Sequence, residues 1–134
     1  MSIAFIGAGN MAGSLINGLL ESGTSPSDIA AADPMATQLE KLALMGVTTA
    51  ANNDQAIEHA DVVVLAVKPQ VTGQVLEALS GLKPNQLIIS IVAAIDLRSL
   101  ETWLPDNQHI VLCLPTTPTL LHAAMPALFA NQRA

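Results

Sequence analysis

The sequence predicts a doubly wound α/β domain, in which a mostly parallel β-sheet carries helices on both faces. Short apolar runs alternate with segments of helical periodicity, and the runs lack the polar residues of a half-exposed strand. Strands without such alternation are typical of a parallel sheet, because helices cover both of its faces. With 134 residues, 51% of them hydrophobic, we expect a single domain over 1–134, with 111–134 as its terminal strands and tail.

The predicted elements alternate along the whole chain. Strands are expected at 2–6, 29–32, 47–50, 62–66, 87–92 and 109–114, with a further short one at 128–129. Helices are expected at 11–22, 34–45, 53–60, 71–79 and 96–103. Gly23 and Gly46 are predicted to end the first two helices, and Asn53 and Asp96 to cap the third and the fifth.

The turn after the first predicted strand carries the strongest functional signal. Residues 7–12, Gly-Ala-Gly-Asn-Met-Ala, have the form G-x-G-x-x-A between a strand and a helix. In this form Gly7 allows a tight turn, Gly9 leaves room for a pyrophosphate against the backbone, and Ala12 lets the helix pack closely on the strand. The N–H groups of the helix N-terminus then face the phosphates. The motif predicts a dinucleotide site, and a tight turn without a ligand is the alternative.

Asp33 ends the second predicted strand and adds to this signal. It follows Gly9 at about the spacing of the carboxylate that accepts hydrogen bonds from the adenosine ribose of NAD. A carboxylate would repel the 2′-phosphate of NADP, and the closest downstream cation is Lys41, so the sequence favours NADH over NADPH. Asp33 is equally suited to cap the helix that begins at Pro34, and both roles can coexist.

Two further polar side chains follow strands of the predicted sheet. Lys68 comes after the fourth strand, within Ala66-Val-Lys-Pro69, and Asn53 comes after the third. Ligands of open parallel sheets bind beyond the carboxyl ends of the strands, next to the point where the strand order reverses. Lys68 is therefore placed to face a cofactor, although a solvated lysine is the ordinary state of such a residue. Asn53 is interpreted as a helix cap or as a ligand contact.

Composition argues against several classes of partner. Eleven acidic and five basic residues give a net charge of −6 without a basic run, so we expect neither nucleic acid nor membrane as a partner. His59, His109 and His122 lack the spacing of metal ligands, so no metal site is expected. The single cysteine, Cys113, is expected to be a buried apolar residue of the sixth strand. One cysteine, and an N-terminus without the basic region of a signal peptide, predict a cytoplasmic protein.

Four segments together resemble the pyrroline-5-carboxylate reductase family. They are FIGAGNMA at 5–12, LAVKPQ at 65–70, LIISI at 87–91 and CLPTTP at 113–118, so the resemblance spans essentially the whole chain. The family has a Rossmann-like fold and reduces a cyclic imine to proline with NAD(P)H, commonly NADPH. Asp33, where the family often carries Ser or Asn, still favours NADH here. The resemblance implies a cofactor-binding site formed by Ile6, Gly7, Ala8, Gly9, Asn10, Met11, Asp33, Asn53, Ala66, Val67, Lys68 and Pro69.

Three positions differ from the pattern of that family. Ala94, Leu112 and Thr116 stand where its members typically carry Gly, Arg and Asn, at the cofactor and substrate end. The replacement of Arg and Asn by Leu and Thr removes hydrogen-bond donors that a reducing site would use. We therefore assign no catalytic residue.

The resemblance also sets expectations for the chain as a whole. Family members continue into a helical second domain that supplies the imine pocket and most of the dimer interface, and 131–134 lie at about the end of the first domain. We expect a domain that holds NAD(P)H without turnover, with pyrroline-5-carboxylate a substrate of the full-length enzyme alone. A non-catalytic dinucleotide-binding module and an engineered Rossmann scaffold are the alternatives. Apolar residues within 112–129 are expected to mediate self-association.

Overall fold

A computed structural model describes residues 2–92, 95, 97–104 and 108–112, except for the side chain of Asn10. Within these residues, six strands alternate with five α-helices. The strands are β1 (Ile3–Ile6), β2 (Ile29–Ala32), β3 (Thr48–Thr49), β4 (Val62–Leu65), β5 (Leu87–Ser90) and β6 (His109–Leu112). The helices are α1 (Asn10–Glu21), α2 (Ala36–Leu44), α3 (Asn53–Ile57), α4 (Thr72–Ala78) and α5 (Leu97–Trp103).

The strands form one parallel sheet in the order β3-β2-β1-β4-β5-β6. The predicted doubly wound α/β fold is therefore confirmed. The chain first builds outward from β1 through β2 to β3 and then returns to place β4 on the other side of β1. The strand order reverses between β1 and β4, and such a reversal opens a crevice beyond the carboxyl ends of the two strands.

Alternate residues of each central strand face two separate cores. On β1, Ile3 and Phe5 belong to the core of the first face, and Ala4 and Ile6 to that of the second. Helices α1 and α2 cover the first face, and α3, α4 and α5 cover the second. The continuous apolar runs of the sequence result from this burial on both sides of the sheet.

Several predicted boundaries differ from the structure. Strand β3 has only two residues, Thr48 and Thr49, and both are exposed at the edge of the sheet. The predicted cap of α3 was wrong by one position: the Asn52 side chain accepts a 2.8 Å hydrogen bond from the N–H of Gln55, and Asn53 begins the helix. Helix α2 begins at Ala36, two residues later than predicted. The Asp96 cap and the strand at 128–129 lie outside the described residues.

Two helices end as the glycines predict. Gly23 and Gly46 have φ angles of +102° and +88°, in the left-handed region that residues other than glycine rarely adopt. The N–H of Gly23 donates to the carbonyl of Leu20, and the N–H of Gly46 to that of Ala43, which closes the last turn of each helix.

Among the described residues, no helix is long and apolar enough to cross a bilayer.

The second face contains a close contact between two helices. Gly73 of α4 lies against the indole of Trp103 in α5, where an added Cβ would come within 2.7 Å of Cε2. The glycine thus lets α4 and α5 approach each other, and the single tryptophan of the chain reports on this packing.

A buried amide ties the end of α3 to the segment before β5. The side chain of Gln86 is 1% exposed, and its Nε2 donates to the carbonyls of Ile57 and Ala60 at 2.7 and 2.9 Å. Its Oε1 accepts the N–H of Lys83 at 2.9 Å. Both polar atoms of this amide have partners, so one buried side chain bridges three main-chain groups.

We expect Gln86→Leu to lower the free energy of unfolding by about 2 kcal/mol, because the carbonyl of buried Ala60 loses this partner, whereas the carbonyl of Ile57 keeps the N–H of Ala60. Gln74→Leu is the matched control, since Gln74 is exposed on α4 and the change should stay within about 0.5 kcal/mol. Denaturant unfolding monitored by circular dichroism measures both. Equal stabilities of the two variants would contradict a structural role for Gln86.

Candidate functional site

Three segments far apart in sequence meet at one edge of the sheet, which we call the carboxyl edge and define by Gly7, Asp33 and Ala66. The register aligns the last residue of β1 with the last residues of β2 and β4, so the residues that follow are brought together. The N–H of Gly7 donates to the carbonyl of Ala32 at 2.8 Å. The N–H of Ala66 donates to the carbonyl of Ile6 at the same distance.

Gly7 forms the tight turn that the motif predicts. Its φ angle is +102°, and an added Cβ would lie 2.8 Å from the carbonyl carbon of Ala66 and 3.2 Å from the nitrogen of Val67. Both the backbone conformation and the lack of space exclude a side chain here. The turn therefore presses directly against the segment that follows β4.

Gly9 is under a different constraint. It is the N-cap residue of α1 with a φ of −77°, which any residue can adopt. An added Cβ at Gly9 would meet no atom within 4 Å. Ser, Asp or Asn would serve better than Gly at a helix N-cap, because their side chains accept hydrogen bonds from the first turn. Nothing in the described part of the chain itself thus requires glycine at this position.

The N-terminus of α1 opens onto the space in front of Gly9. The N–H of Gly13 donates to the carbonyl of Gly9 at 2.9 Å and makes the first bond of the helix. By helix geometry, the preceding N–H groups of residues 10–12 have no acceptor within the helix. They carry the partial positive charge of the helix dipole, which attracts anions. Ala12, 1% exposed, packs in the core of the first face and keeps α1 close to the sheet.

Asp33 contacts two main-chain N–H groups. Its Oδ2 accepts the N–H of Ala8 in the glycine turn at 2.8 Å, and its Oδ1 accepts the N–H of Met35 at 2.8 Å. The interpretation of Asp33 as the N-cap of a helix beginning at Pro34 was wrong, since the N-cap of α2 is Met35 and no side chain caps it. The bond to Met35 is instead an Asx turn, which forms between a side chain and the N–H two residues on.

Lys41 lines the same groove as two residues of the glycine turn. A groove of about 350 Å³ runs between α1 and α2 and has Ala8 and Gly9 at one end. Its walls are formed by Gly13, Ser14, Asn17, Gln38, Lys41, Leu42 and Met45. A cationic side chain therefore shares this groove with the turn.

The segment after β4 forms the opposite wall of the carboxyl edge. Ala66 and Val67 are half-buried, whereas Lys68 and Pro69 are exposed. The carbonyl of Lys68 accepts the N–H of Val71 and the hydroxyl of Thr72, both at 3.1 Å, which fixes a short 3-10 turn at Pro69–Val71. The main chain of this segment is held in place by these bonds, while Lys68 as a residue is exposed.

The remaining predicted site residues differ in how deeply they are buried. The side chain of Ile6 is fully buried in the second face, so this residue offers only its main chain to the carboxyl edge. Met11 packs partly against the core of the first face, and Asn53 is half-buried at the start of α3. Leu112, half-buried, ends β6 opposite Ser90. The predictions for Ala94, Cys113, Thr116 and His122 and the side chain of Asn10 lie outside the described residues.

Two features of this edge were missed from the sequence alone. One is the bond between Ala8 and Asp33, and the other is the groove that Lys41 lines together with Ala8 and Gly9; both depend on how the strands and helices pack. Within the described ranges, no three His, Cys, Asp or Glu side chains are close enough together to hold a metal ion.

Comparison with known proteins assigns the chain to a family. Residues 2–94 match the family described as NADP oxidoreductase coenzyme F420-dependent, which is more than half of the chain. The chain belongs to this family. It is 49% identical over 131 residues to a pyrroline-5-carboxylate reductase of Pseudomonas aeruginosa, covering 96% of the chain and 48% of that protein. The resemblance seen in the sequence is thus confirmed, and the chain spans about half the length of the curated relatives that it matches.

Solved structures of pyrroline-5-carboxylate reductases share this fold. A pyrroline-5-carboxylate reductase from Coxiella burnetii superposes with a TM-score of 0.82 at 35% identity, over 90% of the chain and 46% of that structure. The corresponding reductase of Plasmodium falciparum, crystallised with NADP bound, gives a TM-score of 0.75 at 25% identity, over 90% of the chain and 44% of that structure.

The two glycines should differ in their effect on folding. We expect Gly7→Ser to lower the free energy of unfolding by at least about 2 kcal/mol, through strain at positive φ and the clash with Ala66. Gly9→Ser should change it by no more than about 0.5 kcal/mol, because serine is a good N-cap residue and has room here. Thermal and denaturant unfolding compare the two variants. Similar losses of stability in both would contradict the open space found at Gly9.

Proposed function

We propose that the chain binds NAD(P)H at the carboxyl edge and is the cofactor-binding part of a pyrroline-5-carboxylate reductase. The observation that carries this proposal is the open space at Gly9 in front of the N-terminus of α1. A helix N-cap that lacks a capping side chain, and has no neighbour to exclude one, is explained by a phosphate group that approaches the backbone. The NADP bound to the reductase of Plasmodium falciparum supports this class of ligand.

The residues at this edge have distinct roles in the proposed site. The N–H groups of residues 10 and 11 would bind the pyrophosphate, and Asp33 would accept hydrogen bonds from the adenosine ribose. The main chain of 6–9 would form one wall and that of 66–69 the other, with the charge of Lys68 near the phosphates. Asn53 remains a proposed contact. The dinucleotide would supply a hydride for the reduction of a cyclic imine.

Pyrroline-5-carboxylate is proposed as the substrate of a protein of the relatives' full length. The curated relatives are about twice as long as the matched region, so the 134 residues alone are proposed to bind the cofactor without turnover. One observation favours a non-catalytic binding module as a second candidate. Leu112 ends β6, at the position where the resemblance places an arginine, and leucine has no donor to offer a substrate. A cytoplasmic location and self-association through 112–129 also remain proposals.

The experiment that tests this function is a titration of the purified chain with NADH. Binding is measured by calorimetry and by energy transfer from Trp103 to the reduced nicotinamide. We expect saturable binding of one NADH and no reduction of pyrroline-5-carboxylate. Gly9→Val should abolish binding while the circular dichroism spectrum stays native, because the side chain would fill the space of the pyrophosphate. Gly81→Ala is the control, since its added methyl group makes only ordinary contact with Asp54 at 3.5 Å.

Two results would contradict this proposal. Unchanged NADH affinity in a folded Gly9→Val variant would place the ligand elsewhere. Steady reduction of pyrroline-5-carboxylate by the 134-residue chain would show that the matched region also carries the catalytic groups.

We also expect NADH to bind at least tenfold more tightly than NADPH. The 2′-phosphate of NADPH would face the carboxylate of Asp33, and repulsion of this kind costs about 1 kcal/mol in water and more at a partly buried site. A difference of about 1.4 kcal/mol corresponds to a factor of ten in affinity. Calorimetric titration with both nucleotides measures the ratio. Tighter binding of NADPH would mean that a cation such as Lys41, rather than Asp33, determines the preference.

A further inference from the structure

The carboxylate of Asp33 connects two segments that are both needed at the carboxyl edge. One oxygen accepts the N–H of Ala8 and the other the N–H of Met35, each at 2.8 Å. A carboxylate has about four acceptor positions, so two remain for other donors. Asp33 can therefore hold the chain and contact a ligand at the same time.

The bond to Ala8 acts on the most adaptable part of the turn. Ala8 lies between Gly7 and Gly9, and glycine restricts the backbone less than any other residue. Ala8 is only 3% exposed, and its N–H is paired with the carboxylate of Asp33 in a part-buried position. The orientation of this peptide group also sets the direction of the chain into Gly9 and the first turn of α1. The bond to Asp33 therefore acts on the peptide group that leads into the proposed phosphate site.

We propose that Asp33 is a positioning residue that holds the glycine turn in its binding conformation before a dinucleotide arrives. This inference rests on the proposed function of the carboxyl edge. A turn that is already ordered loses less conformational entropy on binding. Order in the free chain therefore raises the affinity for the dinucleotide, in addition to any contact between Asp33 and the ribose. The two functions of Asp33, to contact the ribose and to position the turn, predict different results for a ligand without ribose hydroxyls.

The first experiment uses a 2′,3′-dideoxyadenosine analogue of NADH and the Asp33→Ser variant. The analogue has no hydroxyl for Asp33 to bind and no 2′-phosphate for it to repel. If Asp33 acts on the ribose alone, the substitution leaves the affinity for the analogue unchanged or raises it, because a negative charge near the pyrophosphate is removed. We expect instead a loss of about tenfold. An unchanged or higher affinity would overturn the inference.

The control is Asp28→Ser, which removes the same charge at the opposite end of β2, just before Ile29. It should bind the analogue within twofold of the unmodified chain. Asp33→Asn is the conservative variant, because its single amide oxygen can accept one of the two N–H groups. We expect it to recover part of the lost affinity, and it replaces Asp33→Ser if that variant does not fold. No recovery beyond the affinity of Asp33→Ser would contradict the hydrogen-bonding role.

The second experiment needs no ligand and separates this inference from the proposed function. In Asp33→Ser, amide hydrogen exchange measured by nuclear magnetic resonance should be at least tenfold faster at Ala8. The exchange rate at Phe5, in strand β1 before the turn, should be unchanged. Equal acceleration at both amides would indicate a global loss of stability and would overturn the positioning role. Failure of the unmodified chain to bind NADH would refute the proposed function, while the exchange rate at Ala8 would still decide whether Asp33 orders the turn.

Discussion

The close approach of Gly7 to the backbone of Ala66 is the constraint on which this structure depends. The turn after β1 must pass between the ends of β2 and β4, because β1 lies between these strands in the sheet. It does so with a left-handed residue whose N–H bonds to Ala32 and whose α-carbon faces Ala66. With any side chain at Gly7, the turn would separate from β4. The crevice between the two halves of the sheet would then lose its shape.

The two buried faces follow from the same arrangement. In this sheet, whose order reverses beside β1, α1 and α2 pack on one face and the later helices on the other. This covers both faces of the central strands and requires apolar residues at every position of β1 and β4. Buried polar side chains in and beside such a sheet need hydrogen-bond partners, as Ser90, Gln86 and Thr72 have. The other place for them is beyond the strand ends, where Asp33 and Lys68 lie.

The sequence allows the fold to be predicted because its signals are local. Apolar runs, helical spacing and the glycines at positions 23 and 46 each act within a few residues, and each was confirmed. The convergence of Gly7, Asp33 and Ala66 was also predictable, since the carboxyl ends of parallel strands meet at one edge. The boundary errors at Asn52 and Met35 reflect competition between neighbouring residues of similar capping ability, which the final turn geometry decides.

The details of the carboxyl edge could not be predicted in this way. The acceptor role of Asp33 toward Ala8 depends on the register of β1 and β2, and the groove beside Lys41 depends on the packing of α1 against α2. Gln86 has no motif around it, and only the folded chain shows that it bridges α3 and the segment before β5. The hydrogen bonds of Asp33 to Ala8 and of Gln86 to Ala60 join residues more than 20 positions apart. A local sequence pattern does not show which residues so far apart in the chain come into contact.

The different surroundings of the two glycines have a consequence for how this sequence can change during evolution. Position 7 must stay glycine in any chain that keeps the fold, whether or not a ligand is bound. Position 9 has an ordinary backbone conformation and open space, so in a lineage without a ligand random substitution would soon replace glycine by a capping residue. The first glycine of the motif is therefore required by the architecture, whereas the backbone and the packing leave the second free to change.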